Sequence, residues 1–378
     1  MDFSLSKEQI LLRDGLSKFL ATRYDLETSR AAAKTGLGWQ PEIWRAFAEE
    51  LGITAATLPE TVGGTGGGPV EVMVIAEELG RALVIEPFID SVVVAGGLLA
   101  RAGGDGPTAV LEQIGEGTAI VALAAGEDNA GDNWNVLSTK AVRDGDSWVL
   151  TGAKSVVIAA PLATHLLITA RVGGTDGDPN GLGLFLTEFD GAGAQPGVTV
   201  HPYRTIDDRR AADLVIDGLR LPADAALDLD AWPTLDLARD EGTAAVCAEA
   251  VGAMRRVLAD TVSYCTTRQQ FGQPISQFQV LQHRMVDMYM EVEQSAAAAC
   301  LAALNLGAPP AQRCRAVSAA KATVGRAARF VGQNAVQLHG GMGMTEELAI
   351  GHYFKRLTAL QYEFGSTDAH LTRYAQLI

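Results

Sequence analysis

Near residue 118 the hydrophobic period of the chain switches from that of a helix to two, and near residue 230 it switches back. No other feature narrows the fold as much, because a helix-period pattern cannot be laid down as a half-buried strand. Before the first switch, SLSKEQILLRDGLSKFLATRYD carries apolar residues at helical spacing, with Ser6 and Gln9 placed as a capping box. PEIWRAFAEELGI repeats the pattern. Between the switches run TAIVALAAG, SWVLTGAKSVVIA, HLLITARV, GLGLFLTEF and AADLVIDGLRL, punctuated by turns such as Asp144-Gly145-Asp146 and TDGDPNG. With no helix among them, they predict an antiparallel barrel or sandwich of about a hundred residues. Three long helical stretches follow: GTAAVCAEAVGAMRRVLADTVSYCTTR, FQVLQHRMVDMYMEVEQSAAAACLAALNL and RCRAVSAAKATVGRAARFVGQNAVQLHG. Small residues on their faces let helices approach closely, as in a bundle. The expectation is an α+β chain of three domains: an N-terminal helical domain (1–117), a middle antiparallel β domain (118–228) and a C-terminal helical bundle (229–378).

The loop in LPETVGGTGGGPVEVMVIAEELGRAL invites a phosphate-cradle reading. No strand precedes it and no Lys-Ser/Thr follows, so it reads instead as a flexible connection between helices. The chain has 45 acidic and 30 basic residues, a formal charge of −15. That balance argues against nucleic acid or an anionic membrane as partner, while leaving room for a local cationic pocket. Cys247, Cys265, Cys300 and Cys314 form no CxxC pair and sit in helical segments, as reduced, packed thiols do; no metal site is expected. No apolar run approaches the roughly 20 residues of a membrane span. The amphipathic, early-acidic start is unlike a secretory signal, and a cytoplasmic location is expected.

The α, β, α order, together with LPETVGGTGGG, EELGRA, WVLTGAKSVV, TRQQFGQPISQFQVLQHRMVDM and QLHGGMGMTEE, resembles the acyl-CoA dehydrogenase flavoprotein family over essentially the whole chain. The resemblance implies a C-terminal four-helix bundle, FAD as cofactor and oxidation of an acyl-CoA thioester to its 2,3-enoyl form. A carboxylate takes the α-proton while hydride leaves the β-carbon for the flavin. It also implies that two clusters reach FAD lodged mainly in a neighbouring subunit. The first is Arg268, Gln270, Phe271 and Gln279, where a planar guanidinium suits a pyrophosphate. The second is Gln337, Gly340 and Gly341 at the adenosine end, where missing side chains let the cofactor approach. His339 beside them reads as a packed or hydrogen-bonded residue rather than a ligand.

Elsewhere the chain departs from the family pattern. In GEDNAGDN (126–133) Glu127 is kept, but Gly126 replaces a threonine and Asp132 the serine that helps hold CoA. In TGAKSVVIAA the aromatic ring and the hydroxyl that meet the flavin are replaced by Val156 and Ile158; isoleucine cannot donate the missing bond. The family's two alternative base positions fall on Phe364 and Gly242. Each is preceded by a carboxylate, so Glu363 and Glu241 are the candidate bases. One residue along a helix turns a side chain by about 100 degrees, which aims both elsewhere unless the backbone bulges.

VGGTGGGPVEVM, CAEAVGAM and GHYFKRLT carry the resemblance further, to the small subunit of pimeloyl-CoA-type dehydrogenases. It implies a subunit that completes the FAD site of a homologous catalytic partner in a heterotetramer, acts on acyl-CoA and passes electrons to an electron-transfer flavoprotein. Two alternatives stand beside it: a self-sufficient homo-oligomeric dehydrogenase with a displaced base, and a non-catalytic structural or regulatory subunit.

Overall fold

The structure is a computed structural model and describes residues 4–191 and 195–377. Helices α1 (Lys7–Arg23), α2 (Leu26–Lys34), α3 (Pro41–Glu49), α4 (Pro69–Ala82), α5 (Gly96–Ala102) and α6 (Asp105–Gly115) come first, with a π-helical stretch at Phe88–Ala95. The strands are β1 (Val121–Ala124), β2 (Lys140–Asp144), β3 (Ser147–Ile158), β4 (His165–Arg171), β5 (Leu182–Glu188), β6 (Val198–Arg204) and β7 (Arg210–Pro222). Then follow α7 (Ala231–Thr267), the short β8 (Gln269–Gln270) and β9 (Gln273–Pro274), α8 (Gln279–Leu304), α9 (Pro310–His339), α10 (Ile350–Ala359) and α11 (Thr367–Ala375). Ser6 caps α1 as expected: its hydroxyl accepts from the Gln9 amide at 3.2 Å, and the Gln9 side chain accepts from the Ser6 amide at 2.8 Å.

The chain groups into two compact units that cut across the sequential division at 117 and 228. One runs to Ser29, resumes over Pro69–Val84 and continues from Thr243; the other holds Arg30–Gly68 and Ile85–Gly242. The boundary falls inside α7.

In the second unit the sheet order is β1-β4-β2-β3-β7-β6, with β5 also on β4. Pairing is antiparallel for β2–β3, β3–β7, β4–β5 and β6–β7, but β1 lies parallel to β4, Val121 opposite His165. The sheet is thus mainly, not wholly, antiparallel. Trp148 meets Phe185 edge to face, and Leu166, Leu167 and Ile168 are fully buried on β4. The glycine-rich connection is stapled rather than flexible. Backbone amides of Thr65, Gly66 and Gly67 donate to the carbonyls of Ala55, Leu58 and Ala56, which fold the loop back on the preceding turn.

In the first unit α9 is buried along most of its length, because α8 packs on it from one side and α10 and α11 from others. Its alanines and glycines permit this. Helices α4 and α7 approach each other closely. A Cβ added at Gly80 would lie 2.0 Å from the Glu249 carbonyl oxygen, and one at Gly252 only 1.8 Å from that of Glu77. Two backbones therefore touch where side chains are missing. Gly252→Ala should force the helices apart and lower unfolding stability by about 1–3 kcal/mol in urea titration; an unchanged midpoint would contradict this packing.

Candidate functional site

Helix α7 ends at Thr267, and the Arg268 amide still closes the last turn on Tyr264. The chain then makes a two-residue hairpin. Phe271 and Gly272 both have positive φ, 56° and 81°, as the tightest hairpin turn demands, and β8 pairs with β9 on either side. This geometry lifts the Phe271 ring off the surface, 93% exposed, with only an edge contact to Phe278 at 6.0 Å. Gln279 opens α8, and Arg268, Gln270 and Gln279 are all exposed.

The end of α9 lies beside this hairpin. His339 stacks on Tyr264 with ring centres 4.4 Å apart, its Nδ1 donating to the Ala335 carbonyl at 2.8 Å. The histidine is thus a packed residue joining two helix ends. Tyr264 lies one turn before Arg268, and His339 is flanked by Gln337 and Gly340. The stack therefore brings the ends of α7 and α9, which carry the two candidate clusters, next to each other. Gln337, Gly340 and Gly341 are exposed, and a Cβ built on either glycine meets nothing within 4 Å. Arg268 makes no ion pair among the described residues. An exposed, unpaired guanidinium with open glycines and amide side chains beside it fits the phosphate-bearing nucleotide of FAD.

The strand-domain positions behave differently. Between Lys154 and Val157 the β3–β7 register slips, and Val156 has φ 53°, a strained value for a β-branched residue. Val156 is 59% exposed. Its amide donates to Asp213 Oδ1 at 2.8 Å, and the Tyr203 hydroxyl donates to the same oxygen at 3.1 Å. Burial, together with the Asp213 charge, pushes the Tyr203 hydroxyl up to about 12. Ser155 Oγ donates to Asp128. The Val156 and Ile158 side chains offer no donor, the Val156 amide is already engaged, and two carboxylates stand at the bulge. These side chains offer no hydrogen-bond donor to the carbonyl edge of a flavin ring.

Beneath the bulge, Glu127 is a structural carboxylate. It accepts from Lys154 Nζ at 2.7 Å, from Ser138 N and Oγ at 2.6 and 2.5 Å, and from the Thr139 amide. Burial pushes the Glu127 carboxyl up, but Lys154 and these donors outweigh it and hold it at about 2, while burial brings the Lys154 ammonium down to about 8.

The two candidate bases are both tied into ion pairs. Glu363 pairs with Arg356, which is buried and held bidentately by Glu249 at 2.6 and 2.7 Å. The turn around it is fixed from two more helices. Lys321 Nζ, itself buried, donates to the carbonyls of Leu360 and Glu363 at 2.6 and 2.5 Å, and His370 Nε2 donates to that of Phe364 at 3.1 Å. Phe364, at the family base position, takes φ 57°. Glu241, in the other unit, pairs with Arg101. The sequence reading did not single out Lys321, Arg356, Glu249 or Asp213; a charge inside an otherwise apolar helical face, as at Lys321, is the signal that marks such groups.

A helix-period block, a mainly antiparallel sheet and a long-helix bundle, in that order, define a class. The chain matches the acyl-CoA dehydrogenase N-terminal domain over residues 6–105, the middle domain over 122–219 and the C-terminal domain over 237–378. It belongs to the acyl-CoA dehydrogenase family of oxidoreductases. Its relatives include acyl-CoA dehydrogenase IpdE2 of Mycolicibacterium smegmatis, 31% identical, with 93% of each chain covered. IpdE2 of Mycobacterium tuberculosis is 30% identical over 93% of this chain and 91% of its own length. Among solved structures, the ChsE4-ChsE5 complex from Mycobacterium tuberculosis superposes with a TM-score of 0.87 at 26% identity, covering 100% of this chain and 98% of that one. No helix among the described residues is long and apolar enough to cross a membrane.

Two outcomes follow. Arg356→Met strands Glu249 in the interior and should cost about 3–5 kcal/mol of stability in urea unfolding, whereas Glu363→Gln leaves the buried bidentate pair and should cost far less; equal losses would contradict the arrangement. Glu127 has its folded value below the ordinary 4.5. Its contribution is therefore complete above about pH 4.5 and lost as pH falls towards about 2. Melting temperature should drop over that window more steeply in the wild type than in Glu127→Gln.

Proposed function

We propose that this chain is one subunit of an FAD-dependent acyl-CoA dehydrogenase, and that it completes the FAD site of a homologous catalytic partner in a heterotetramer. The observation that carries the reading is a contrast between two surfaces. Arg268, Gln270, Phe271, Gln279, Gln337, Gly340 and Gly341 are exposed, the first and second clusters brought together by the Tyr264–His339 stack. At the chain's own flavin positions, by contrast, Val156 and Ile158 provide no donor, and at the base positions Phe364 and Gly242 provide no carboxylate.

On this reading Arg268 clamps the pyrophosphate of the partner's cofactor through paired N–H donors. The amides of Gln270 and Gln279 orient around it, and the Phe271 ring lends an apolar surface. Gln337, with the open backbone of Gly340 and Gly341, meets the adenosine end. FAD, when bound, accepts the hydride that leaves the substrate β-carbon. The α-proton goes to a carboxylate of the partner, and the product is the 2,3-enoyl-CoA. An electron-transfer flavoprotein is the proposed acceptor. The likeness to a chain solved as part of the ChsE4-ChsE5 complex supports assembly with a second, homologous chain.

The self-sufficient alternative requires Glu363 or Glu241 as base. Arg356 and Arg101 hold the two carboxylates in ion pairs and fix their directions. Purified alone, the chain should carry no stoichiometric flavin by absorbance and show no acyl-CoA turnover. Co-expressed with a homologous dehydrogenase subunit, it should co-purify as a flavin-loaded, active complex. A homo-oligomer with one FAD per chain and normal turnover would overturn the proposal.

A further inference from the structure

The EELGRA stretch of α4 takes no part in the proposed nucleotide contact; it borders a separate cleft. Within the first unit, side chains of α1, α4, α7 and α8 line an opening of about 380 Å³. That is the size of a small-molecule pocket and many times the ~30 Å³ of one water. Arg255, the cleft residue of α7, precedes Arg268 by 13 residues, about 20 Å along the helix. We propose that this cleft binds a small neutral molecule ending in a primary carboxamide, recognised by Glu78 and Arg81.

Six charged side chains line the cleft, three of each sign: Arg13, Arg81 and Arg255 against Asp14, Glu77 and Glu78. Four of them close in pairs, Arg13 with Asp14 at 2.9 Å and Arg255 with Glu77. Glu78 is different. It is 3% exposed, yet its Oε2 accepts no hydrogen bond among the described residues, and Arg81 Nε donates none. The two atoms stand 3.4 Å apart, an ion pair without a hydrogen bond. An open carboxylate oxygen beside an open guanidinium N–H, in a cleft of zero formal charge, calls for a neutral group with a donor and an acceptor on one edge. A primary carboxamide is such a group: its N–H donates to Glu78 while its carbonyl accepts from Arg81. Its nitrogen and oxygen lie about 2.2 Å apart, so the two bonds run nearly side by side. A single oxygen bonded to both atoms at about 2.9 Å would hold them at about 70 degrees, too tight an angle for two good bonds. Leu5, Met73, Val74 and Ala296 add apolar wall for a short stem.

The competing role is a structural ion pair between residues three apart on α4, with water filling the cleft. Such pairs belong on a helix surface, where solvent completes their hydrogen bonds. Glu78 lies inside, where an ion pair without hydrogen bonds leaves much of the cost of desolvation standing.

The test uses the full chain and three six-carbon probes: hexanamide, hexanoate and 1-hexanol. Ligand-observed NMR should show saturable binding of hexanamide with a Kd of roughly millimolar order. Hexanoate should bind about tenfold more weakly, because its charge faces Glu78, and 1-hexanol about tenfold more weakly, because one oxygen serves two partners poorly. Glu78→Met should weaken hexanamide about tenfold by removing the acceptor. Ala296→Phe, which fills the cleft and leaves both charges in place, should abolish its binding; this variant and the ranking of the probes decide the matter even where Glu78→Met does not fold. Equal affinities for the three probes, or no saturable binding of any, would overturn the inference and leave Glu78 and Arg81 as a structural pair. Hexanamide binding that survives Ala296→Phe unchanged would place the amide elsewhere and overturn it equally.

Discussion

The stacking of His339 on Tyr264 is the contact on which the proposed functional face depends. It joins the end of a 37-residue helix to the end of a 30-residue one, so that a hairpin from one and a glycine run from the other share a surface. Neither cluster is a nucleotide site alone. A hairpin with one arginine is a common surface feature, and two exposed glycines after a helix are a common stop. Brought together, with Arg268 in no ion pair among the described residues, they offer the charge, the planarity and the open backbone that the proposed dinucleotide contact requires.

The contrast with the rest of the molecule is electrostatic. Where the family has a base, this chain has turned the neighbouring carboxylates into structure: Glu363 closes a triad with Arg356 and Glu249, and Glu241 closes a pair with Arg101. Buried ion pairs are weak evidence for stability, since removing charges from water costs about as much as their attraction returns. They are better evidence for geometry. Lys321, Arg356 and His370 hold one short turn from three helices, and Phe364 at its tip keeps a backbone conformation few side chains adopt unaided. Asp213 does the same for Val156 in the sheet.

Much of this was legible in the sequence, and the limits have physical causes. The switch in hydrophobic period gave the order of helical and strand segments, and the Ser6 cap was readable because capping is local. β2 escaped notice because its residues are largely exposed and it lacks the alternation that marks a half-buried strand, and β6 because Pro202 interrupts its short alternating run. The parallel pairing of β1 with β4 joins segments far apart in the chain, and no local signal records it. The π-helical run at Phe88–Ala95 is almost wholly buried, and an apolar run of that length does not distinguish helix from strand. Among the proposed site residues, the exposed clusters were picked out by their motifs. The groups that hold the turn and the bulge were not, because a single Lys321 or Asp213 acquires meaning only from the carbonyl or amide it faces.

The central claim is that this chain touches a nucleotide belonging to its neighbour. A photoactivatable FAD analogue bearing an azide on the adenine tests it most directly, bound in the complex, illuminated and followed by peptide mass spectrometry. The account predicts adducts on this chain in the peptide spanning Gln337 to Gly341. Adducts confined to the partner's peptides would contradict it.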